Sequence, residues 1–184
     1  MIRIGLVGDI ASGKTFIAKS FKYPVFDADD EVKKIYRKNK KCWKKLKLKF
    51  PKHIISFPIS KPEIKKILNK KNIKTLSKIV HPFVRLNLMK FLKQNKLKKF
   101  VVLDIPLLIE NKLNRSSDII IYVNTPKNTI LKRLKKRHNY NKKILNILKS
   151  QQLKNIKIIA ADPLMDFYKK EIKYVLNCHY LFPK

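Results

Sequence analysis

Residues 8–15 read GDIASGKT, and this stretch decides the fold. It matches the pattern G-x-x-x-x-G-K-[ST] and follows an apolar run at 2–7, IRIGLV, that predicts a buried parallel strand. Helical spacing of apolar residues begins directly after it. The chain has only 3 glycines, and two of them lie here, where they let the backbone curl with its N–H groups pointing inward. The stretch therefore predicts a loop that binds nucleotide phosphates, which we call the phosphate loop.

The side chains of the phosphate loop predict how a nucleotide is held. Lys14 is expected to reach the β- and γ-phosphates and Thr15 to bind Mg²⁺, while the N-terminus of the following helix favours an anion. A chance match in an unrelated turn is the alternative, and the scarcity of glycine makes it the weaker one. The candidate nucleotide-binding residues are Gly8, Asp9, Ile10, Ala11, Ser12, Gly13, Lys14, Thr15 and Phe16.

Acidic residues are rare in this chain, and their position is informative. Four of the 12 acids lie within 27–31. The stretch YPVFDAD, 23–29, predicts a second strand that ends in acids, and strand alternation places Asp27 and Asp29 on the same side. Because ligands bind beyond the carboxyl ends of parallel strands, we expect at least one aspartate to face the phosphate loop and deprotonate an acceptor hydroxyl. The alternative is a solvated turn, or an N-cap for a helix that starts near Asp30.

Three further apolar runs predict strands. They are KFVVLDIPLLIE at 99–110, SDIIIYVNTP at 117–126 and a short fifth strand, ADPLMDF, at 161–167. Asp104 lies inside the first of these runs, and it is either a second support for Mg²⁺ or a strand-end cap. Strands that alternate with helical segments predict a three-layer α/β fold with a parallel sheet.

The helical segments suggest how one domain is organised. Helical spacing dominates 30–95, with a break at 57–62, and it returns over the basic stretch 127–160. We expect a single domain over 1–184. Its predicted parts are a core formed by 1–29, 96–126 and 158–184, a helical lobe at 30–95, and a basic helical segment at 127–157.

The composition narrows the class of protein. The formal net charge is +33, and 39 of the 45 basic residues are lysines spread over the whole chain. A spread charge is usually a solvated surface, and AT-rich codon usage is the favoured explanation over a dedicated nucleic-acid surface. Two cysteines predict neither a disulfide framework nor a metal cluster. We expect a cytoplasmic monomer with no membrane or nucleic-acid partner.

The motifs together resemble the dephospho-coenzyme A kinase family, over about residues 2 to 167. The matching blocks are GDIASGKT, FDAD at 26–29, IVHPFVR at 79–85, VVLDIPLLIE at 101–110, RLKKR at 133–137, and Gln151 followed by Lys157, Ala161, Asp162 and Asp166. The resemblance implies a P-loop kinase fold. It also implies that ATP, with Mg²⁺, phosphorylates the ribose 3′-hydroxyl of dephospho-coenzyme A, the last step of coenzyme A synthesis.

The resemblance also implies residue roles. Asp29 is the best candidate base, and Lys14 and Arg137 stabilise the transferring charge. Arg133 and Arg137 lie four apart in a lid over ATP, unless this is only an exposed basic helix. The resemblance implies that the helical lobe at 30–95 binds the acceptor substrate and that 127–157 forms a lid. His81 lies in that lobe, as a substrate contact or as a structural brace, and Arg85 is placed to meet an acceptor phosphate. Candidate acceptor-binding residues are Asp27, Asp29, His81, Arg85, Pro106 and Leu107, and candidate metal-binding residues are Thr15 and Asp104.

The chain departs from the family pattern at several positions. Asp9 stands where a glycine is common, and Phe167 replaces a polar residue expected near the adenine. Ile147 stands where an arginine is often found, and only Lys61 represents a basic residue expected near 57–65. Two alternatives are a kinase of the same architecture that acts on a nucleoside monophosphate, and a basic nucleic-acid-binding protein with an inactive nucleotide fold.

Overall fold

The computed structural model describes residues 1–106, 108, 113–136 and 158–161. Its strands are β1 (Ile2–Val7), β2 (Val25–Asp27), β3 (Phe100–Asp104), β4 (Ile119–Val123) and β5 (Ile158–Ala161). Its helices are α1 (Lys14–Ser20), α2 (Ala28–Lys38), α3 (Lys40–Lys49), α4 (Lys61–Ile67), α5 (Lys70–Gln94) and α6 (Lys127–Lys135). In this described part the strands form one sheet in the order β2-β3-β1-β4-β5. The pairs β1–β3, β1–β4 and β4–β5 are parallel, which confirms the predicted α/β fold.

The chain divides into two compact units. The first unit consists of Met1–Val25 and Lys98–Lys184, and the second is the continuous segment Phe26–Leu97. Within the described residues, the first unit contains the phosphate loop and most of the sheet, and the second unit contains α2 to α5. No helix of the described part is both long and apolar enough to cross a bilayer.

The core of the first unit lies between the sheet and α1. The β1 residues are buried almost throughout, as expected for a central parallel strand covered on both faces. On one face, Ile17, Ala18 and Phe21 pack against the strands, as the helical spacing predicted. The strand residues of this cluster are Ile4, Leu6, Phe100, Val102, Ile119, Ile121 and Val123. This packing fixes α1 directly behind the phosphate loop.

The sheet leaves no room for a side chain at Gly5, in the middle of β1. A Cβ there would lie 2.5 Å from Leu108 Cδ2 and 2.9 Å from Ile120 Cδ1. Leu108 is fully buried, so it covers the strand directly. The third glycine therefore has a packing role, distinct from the turn role of the two in the loop.

The helices of the second unit begin at polar caps and surround their own core. The side chains of Asn39 and Asn69 cap α3 and α5, and Ser60 and Glu63 form a capping box at α4. α5 is 25 residues long and contains Pro82, which has no N–H to donate to the Lys78 carbonyl. The buried core residues are Ile35, Cys42, Leu46, Phe50, Ile54, Ile59, Ile67, Leu76 and Val80.

The prediction of a strand through residue 29 was wrong at its carboxyl end. β2 stops at Asp27, whose side chain accepts a hydrogen bond of 2.9 Å from the Asp30 N–H. Asp27 is therefore the N-cap of α2, which begins at Ala28 instead of near Asp30. Asp29 lies in the first helical turn, so strand alternation does not relate it to Asp27. Three acids in that turn favour the helix because they face its positive dipole end.

β3 and β4 are shorter than predicted. β3 ends at Asp104 and β4 at Val123, so the residues that follow each strand form turns or irregular backbone. A strand occupies Ile158–Ala161, so the prediction of helix was wrong at 158–160. A short apolar run such as IKIIA fits a strand as well as a buried helix turn, and pairing with β4 decides for the strand. Residues 162–167 lie outside the described part of the chain.

Candidate active site

The phosphate loop lies between the carboxyl end of β1 and α1, as predicted. Three of its residues have positive φ: Gly8 at 142°, Ala11 at 61° and Gly13 at 106°. A Cβ on Gly8 would lie 2.7 Å from the Val123 carbonyl oxygen, so both its conformation and its surroundings require glycine. Gly13 occupies the N-cap position of α1. The loop therefore brings the N-terminus of α1 to the end of the central strand, where an anion is favoured.

The side chain of Lys14 folds back over the start of the phosphate loop. Its ammonium donates hydrogen bonds of 2.9 Å to the carbonyl oxygens of both Gly8 and Asp9. The positive charge is therefore held over the first residues of the phosphate loop. The ammonium therefore lies beside the loop that the sequence predicts to bind phosphates.

Thr15 and Asp104 meet although they are 89 residues apart in the chain. The Thr15 hydroxyl donates a hydrogen bond of 2.6 Å to Asp104 Oδ2, which joins the start of α1 to the end of β3. Asp104 is 5% exposed, and a buried carboxylate requires such a partner. The two candidate metal-binding residues are thus brought together, with only oxygen atoms as donors.

Arg133 contacts the phosphate loop itself. Its guanidinium donates hydrogen bonds of 2.8 Å to the Ser12 carbonyl and 3.1 Å to the Ala11 carbonyl. Thr125 donates a second hydrogen bond of 2.8 Å to the same Ser12 oxygen, and sequence analysis did not single out this threonine. No sequence signal distinguishes a lone Thr after a strand, because its partner is 113 residues away.

The remaining loop residues differ in exposure. Asp9, which replaces a glycine common in the family, is exposed. Burial raises the pKa of the Tyr122 hydroxyl, and the negative charge of Asp9 raises it further. Ile10 packs partly buried beside Ala11 and α6, and Phe16 is 68% exposed.

Most of the other predicted residues lie outside the part of the chain that the structure describes. Pro106 is exposed in the turn after β3. Those that lie outside the described residues are Leu107, Arg137, Ile147, Gln151, Lys157, Asp162, Asp166 and Phe167.

The second unit carries the other candidate acids. Asp27 is partly buried and engaged as the N-cap of α2, whereas Asp29 is exposed in the first turn. Asp30 forms exposed ion pairs with Lys33 at 3.6 Å and Lys34 at 3.5 Å. Of the two aspartates predicted to act on a substrate, Asp29 is therefore the one whose side chain does not cap the helix.

His81 and Arg85 lie one turn apart on an exposed face of α5, as predicted. Partial burial of the imidazole lowers the pKa of His81, and the positive charge of Arg85 lowers it further. Both effects favour the neutral form of the imidazole.

A cleft of about 500 Å³ lies within the second unit, away from these two residues. Asn87 lines it, two positions beyond Arg85 and so on another side of α5. Glu31 Oε1 accepts a hydrogen bond of 2.7 Å from Lys34, and its Oε2 accepts one of 3.0 Å from Asn87. The remaining lining residues are Ile35, Lys38, Asn39, Lys40 and Lys41. The cleft is strongly basic. In the sequence, its residues are not distinguishable from the other lysine-rich stretches.

Comparison with known proteins identifies the family. The family model described as dephospho-CoA kinase matches residues 2–170, almost the whole chain. The chain belongs to the dephospho-CoA kinase family. A dephospho-CoA kinase of Bartonella henselae is 33% identical over 171 residues, which cover 89% of this chain and 87% of that protein. Membership makes the chain a kinase that uses ATP and a small-molecule substrate.

Solved structures share the fold of this dephospho-CoA kinase family member. The crystal structure of TT1252 from Thermus thermophilus superposes with a TM-score of 0.71 at 25% identity and covers 96% of both chains. The dephospho-CoA kinase from Campylobacter jejuni superposes with a TM-score of 0.58 at 24% identity and covers 95% of both chains. These similarities confirm the predicted kinase architecture.

Proposed function

We propose that this chain transfers the γ-phosphoryl group of ATP to the ribose 3′-hydroxyl of dephospho-coenzyme A. The observation that supports the proposal most is the phosphate loop, with Lys14 held across it and Thr15 paired with Asp104, in a chain matched by the family model over 2–170. The hydroxyl oxygen forms a bond to the γ-phosphorus, and the bond from that phosphorus to the β-phosphate oxygen breaks. The products are coenzyme A and ADP.

The loop and its basic side chains bind the triphosphate in this proposal. Backbone N–H groups of 8–15 surround the phosphates, and Lys14 neutralises the β- and γ-oxygens. Arg137 adds a guanidinium that spreads the charge of the transferring group. Arg133 already bonds to two loop carbonyls, so its contribution is made through the loop.

Thr15 and Asp104 fit a magnesium ion. A hydroxyl and a carboxylate 2.6 Å apart are hard oxygen donors, and Mg²⁺ is held by one or two carboxylates together with substrate phosphates. In the described residues no group of three or more His, Cys, Asp or Glu side chains lies together, so a dedicated cage of such ligands is not the basis of the fit. When bound, the ion supplies charge neutralisation between the β- and γ-phosphates.

Asp29 is the proposed general base. It accepts the proton of the 3′-hydroxyl as the new oxygen–phosphorus bond forms. Asp27 is the weaker candidate because one of its carboxylate oxygens caps the Asp30 N–H. We assign Asp27 the role of fixing the start of α2, which positions Asp29 one residue into the helix.

The helical lobe is proposed to bind the acceptor. His81 and Arg85 present a neutral imidazole and a guanidinium on one exposed face of α5, which suits a polar, phosphate-bearing molecule. Pro106 and Leu107 are proposed to contact the same substrate. We further propose that the enzyme acts as a cytoplasmic monomer without a nucleic-acid partner.

Replacement of Asp29 by Asn tests the assignment of the base. The variant Asp29→Asn should lower kcat by about 10²- to 10⁴-fold, the usual contribution of a general base. Its affinity for ATP, measured by isothermal titration, should stay within about twofold of the wild type, because the phosphates bind at the loop. Asp30→Asn is the matched control, since the Asp30 side chain forms exposed ion pairs worth about a few tenths of a kcal/mol. Equal activity of the two variants would remove Asp29 from the mechanism.

A further inference from the structure

The phosphate loop is held from outside by two side chains that converge on one carbonyl. Ser12 is completely buried, and its carbonyl oxygen accepts hydrogen bonds of 2.8 Å from both Thr125 Oγ1 and the Arg133 guanidinium. Thr125 is itself 7% exposed and lies two residues beyond the end of β4. Both lone pairs of that oxygen are therefore engaged, which is a strong constraint on one peptide unit.

This constraint sets the direction of a backbone donor. The peptide unit is planar and trans, so its C=O and the N–H of the next residue point in opposite directions. Holding the Ser12 carbonyl toward Thr125 and Arg133 directs the Gly13 N–H to the opposite side. That N–H belongs to the N-cap residue of α1, where an anion is favoured.

The loop requires such support because its conformation is costly. Ala11 has φ of 61°, a left-handed conformation that costs an L-residue about 1–2 kcal/mol. Its methyl group packs with Ile130 and Leu134 of α6, and its carbonyl accepts a hydrogen bond of 3.1 Å from Arg133. The same helix therefore supplies both apolar and polar contacts to the outside of the loop.

We propose that Thr125 is a positioning residue, which acts together with Arg133 to hold the phosphate loop in its phosphate-binding conformation. The inference rests on the proposed function, because the ligand of the loop is the triphosphate of ATP. A loop whose donors are already aimed binds and transfers a phosphoryl group without a reorganisation cost. It also gives Arg133 a role different from that of a lid arginine that closes on the nucleotide.

Thr125→Val removes the hydroxyl and keeps the shape of the side chain. Loss of one hydrogen bond to the loop should weaken ATP affinity about tenfold in isothermal titration and lower kcat/KM for ATP by a similar factor. Thr125→Ser restores the hydroxyl and should return both values to within about threefold of the wild type. Thr75→Val, the same change in α5, is the control and should leave both values unchanged.

Further measurements distinguish a positioning role of Thr125 from a role in fold stability alone. The KM for dephospho-coenzyme A should stay unchanged in Thr125→Val, because the defect is confined to the loop. The double variant Thr125→Val with Arg133→Gln should weaken ATP binding by a factor different from the product of the single effects, because both donors share one acceptor. ATP affinity of Thr125→Val equal to that of the wild type would overturn the inference and leave the kinase intact. Failure of Thr125→Ser to recover affinity would overturn it too, whereas a wild-type chain that does not bind ATP would contradict the proposed function itself.

Discussion

The contact between Asp104 and Thr15 bears on whether Asp104, at the end of β3, takes part in catalysis. The carboxylate is buried and accepts the Thr15 hydroxyl hydrogen bond at 2.6 Å, so it is already tied to the start of α1. The sequence left two interpretations of Asp104, a support for Mg²⁺ and a strand-end cap. The contact suits the first interpretation because Thr15 is the other candidate Mg²⁺ ligand, and it suits the second because it gives a buried carboxylate its hydrogen-bond partner.

The variant Asp104→Asn separates these two interpretations. Asn keeps the size of the side chain and an oxygen that accepts the Thr15 hydrogen bond, but it removes the negative charge. We expect the Mg²⁺ concentration that gives half-maximal activity to rise about tenfold or more, the scale of losses at metal-supporting residues. The free energy of unfolding should change by less than about 1 kcal/mol, since the hydrogen bond survives. An unchanged Mg²⁺ dependence together with a large loss of stability would make Asp104 a cap.

At the residue scale, sequence analysis left the acids at 27–31 open between a catalytic role and an N-cap. The acids at 27–31 were recognised as exceptional, but only the structure shows that Asp27 caps α2. A helix start is decided by which side chain reaches the free N–H groups, and several neighbouring acids compete for that role. Thr125 was missed for another reason, since its function depends on a tertiary contact that no local pattern encodes.

The carboxyl end of α1 contains a residue in an unfavourable conformation. Lys22 has φ of 56°, directly after the last turn of α1, where glycine is the usual residue. The left-handed conformation costs a lysine about 1–2 kcal/mol, which a glycine at this position would not pay. The greater freedom of glycine in the unfolded chain offsets part of the stability gained by the substitution. We therefore expect Lys22→Gly to stabilise the protein by about 1 kcal/mol in urea unfolding.

The control for this prediction is the same substitution three residues earlier. Lys19 is exposed within α1, where glycine costs about 1 kcal/mol relative to a good helix former. Lys19→Gly should therefore lower the urea midpoint, while Lys22→Gly raises it. Destabilisation by both variants would mean that the left-handed conformation of Lys22 is not strained.

Glu63 organises the start of α4 and the segment before it. Its carboxylate accepts hydrogen bonds from the Ile55 and Ser56 amides at 2.6 and 2.8 Å and from the Ser60 amide and hydroxyl at 2.7 Å. Burial opposes ionisation, but the hydrogen bonds from Ser56, Ser60 and Ile55 outweigh it and lower the pKa of Glu63 below its usual 4.5. The charged form is therefore favoured by the fold.

This shift gives a pH dependence with a defined sign. Because the folded pKa of Glu63 is depressed, its stabilising contribution is fully present above the unfolded value near 4.5 and is lost as the pH falls through the folded pKa. Glu63→Gln should cost about 1 kcal/mol at pH 7, after allowance for solvent screening. The difference between wild type and variant should shrink between pH 5 and pH 3 in urea unfolding. A difference independent of pH would show that the charge of Glu63 is irrelevant.

At the element scale, the sequence predicted the existence of the elements better than their ends. The helical segment 30–95 was predicted with a break at 57–62, and α3 and α4 are separated between Lys49 and Lys61. The strand at 158–160 was taken for helix because short apolar runs fit either strand or helix, and only pairing with β4 distinguishes them. Element ends depend on caps and on partners distant in sequence, which local periodicity does not report.

At the scale of the whole molecule, the prediction of the fold depended mainly on the phosphate loop. A strand before it and a helix after it predicted a parallel α/β sheet, and the sheet with β1 at its centre agrees. The net charge of +33 was assigned no specific partner, and it gives a positive field that attracts anionic substrates such as ATP. The roles proposed for residues of the second unit, Phe26–Leu97, are tested by experiments in solution.

The most direct test measures ADP release by the purified chain with ATP and Mg²⁺ in the presence of dephospho-coenzyme A, AMP or CMP. We predict turnover with dephospho-coenzyme A, one coenzyme A formed for each ADP, and with AMP or CMP only the rate seen without an acceptor. Preference for AMP or CMP would make the chain a nucleoside monophosphate kinase. ADP release no faster with dephospho-coenzyme A than without any acceptor would contradict the proposed function.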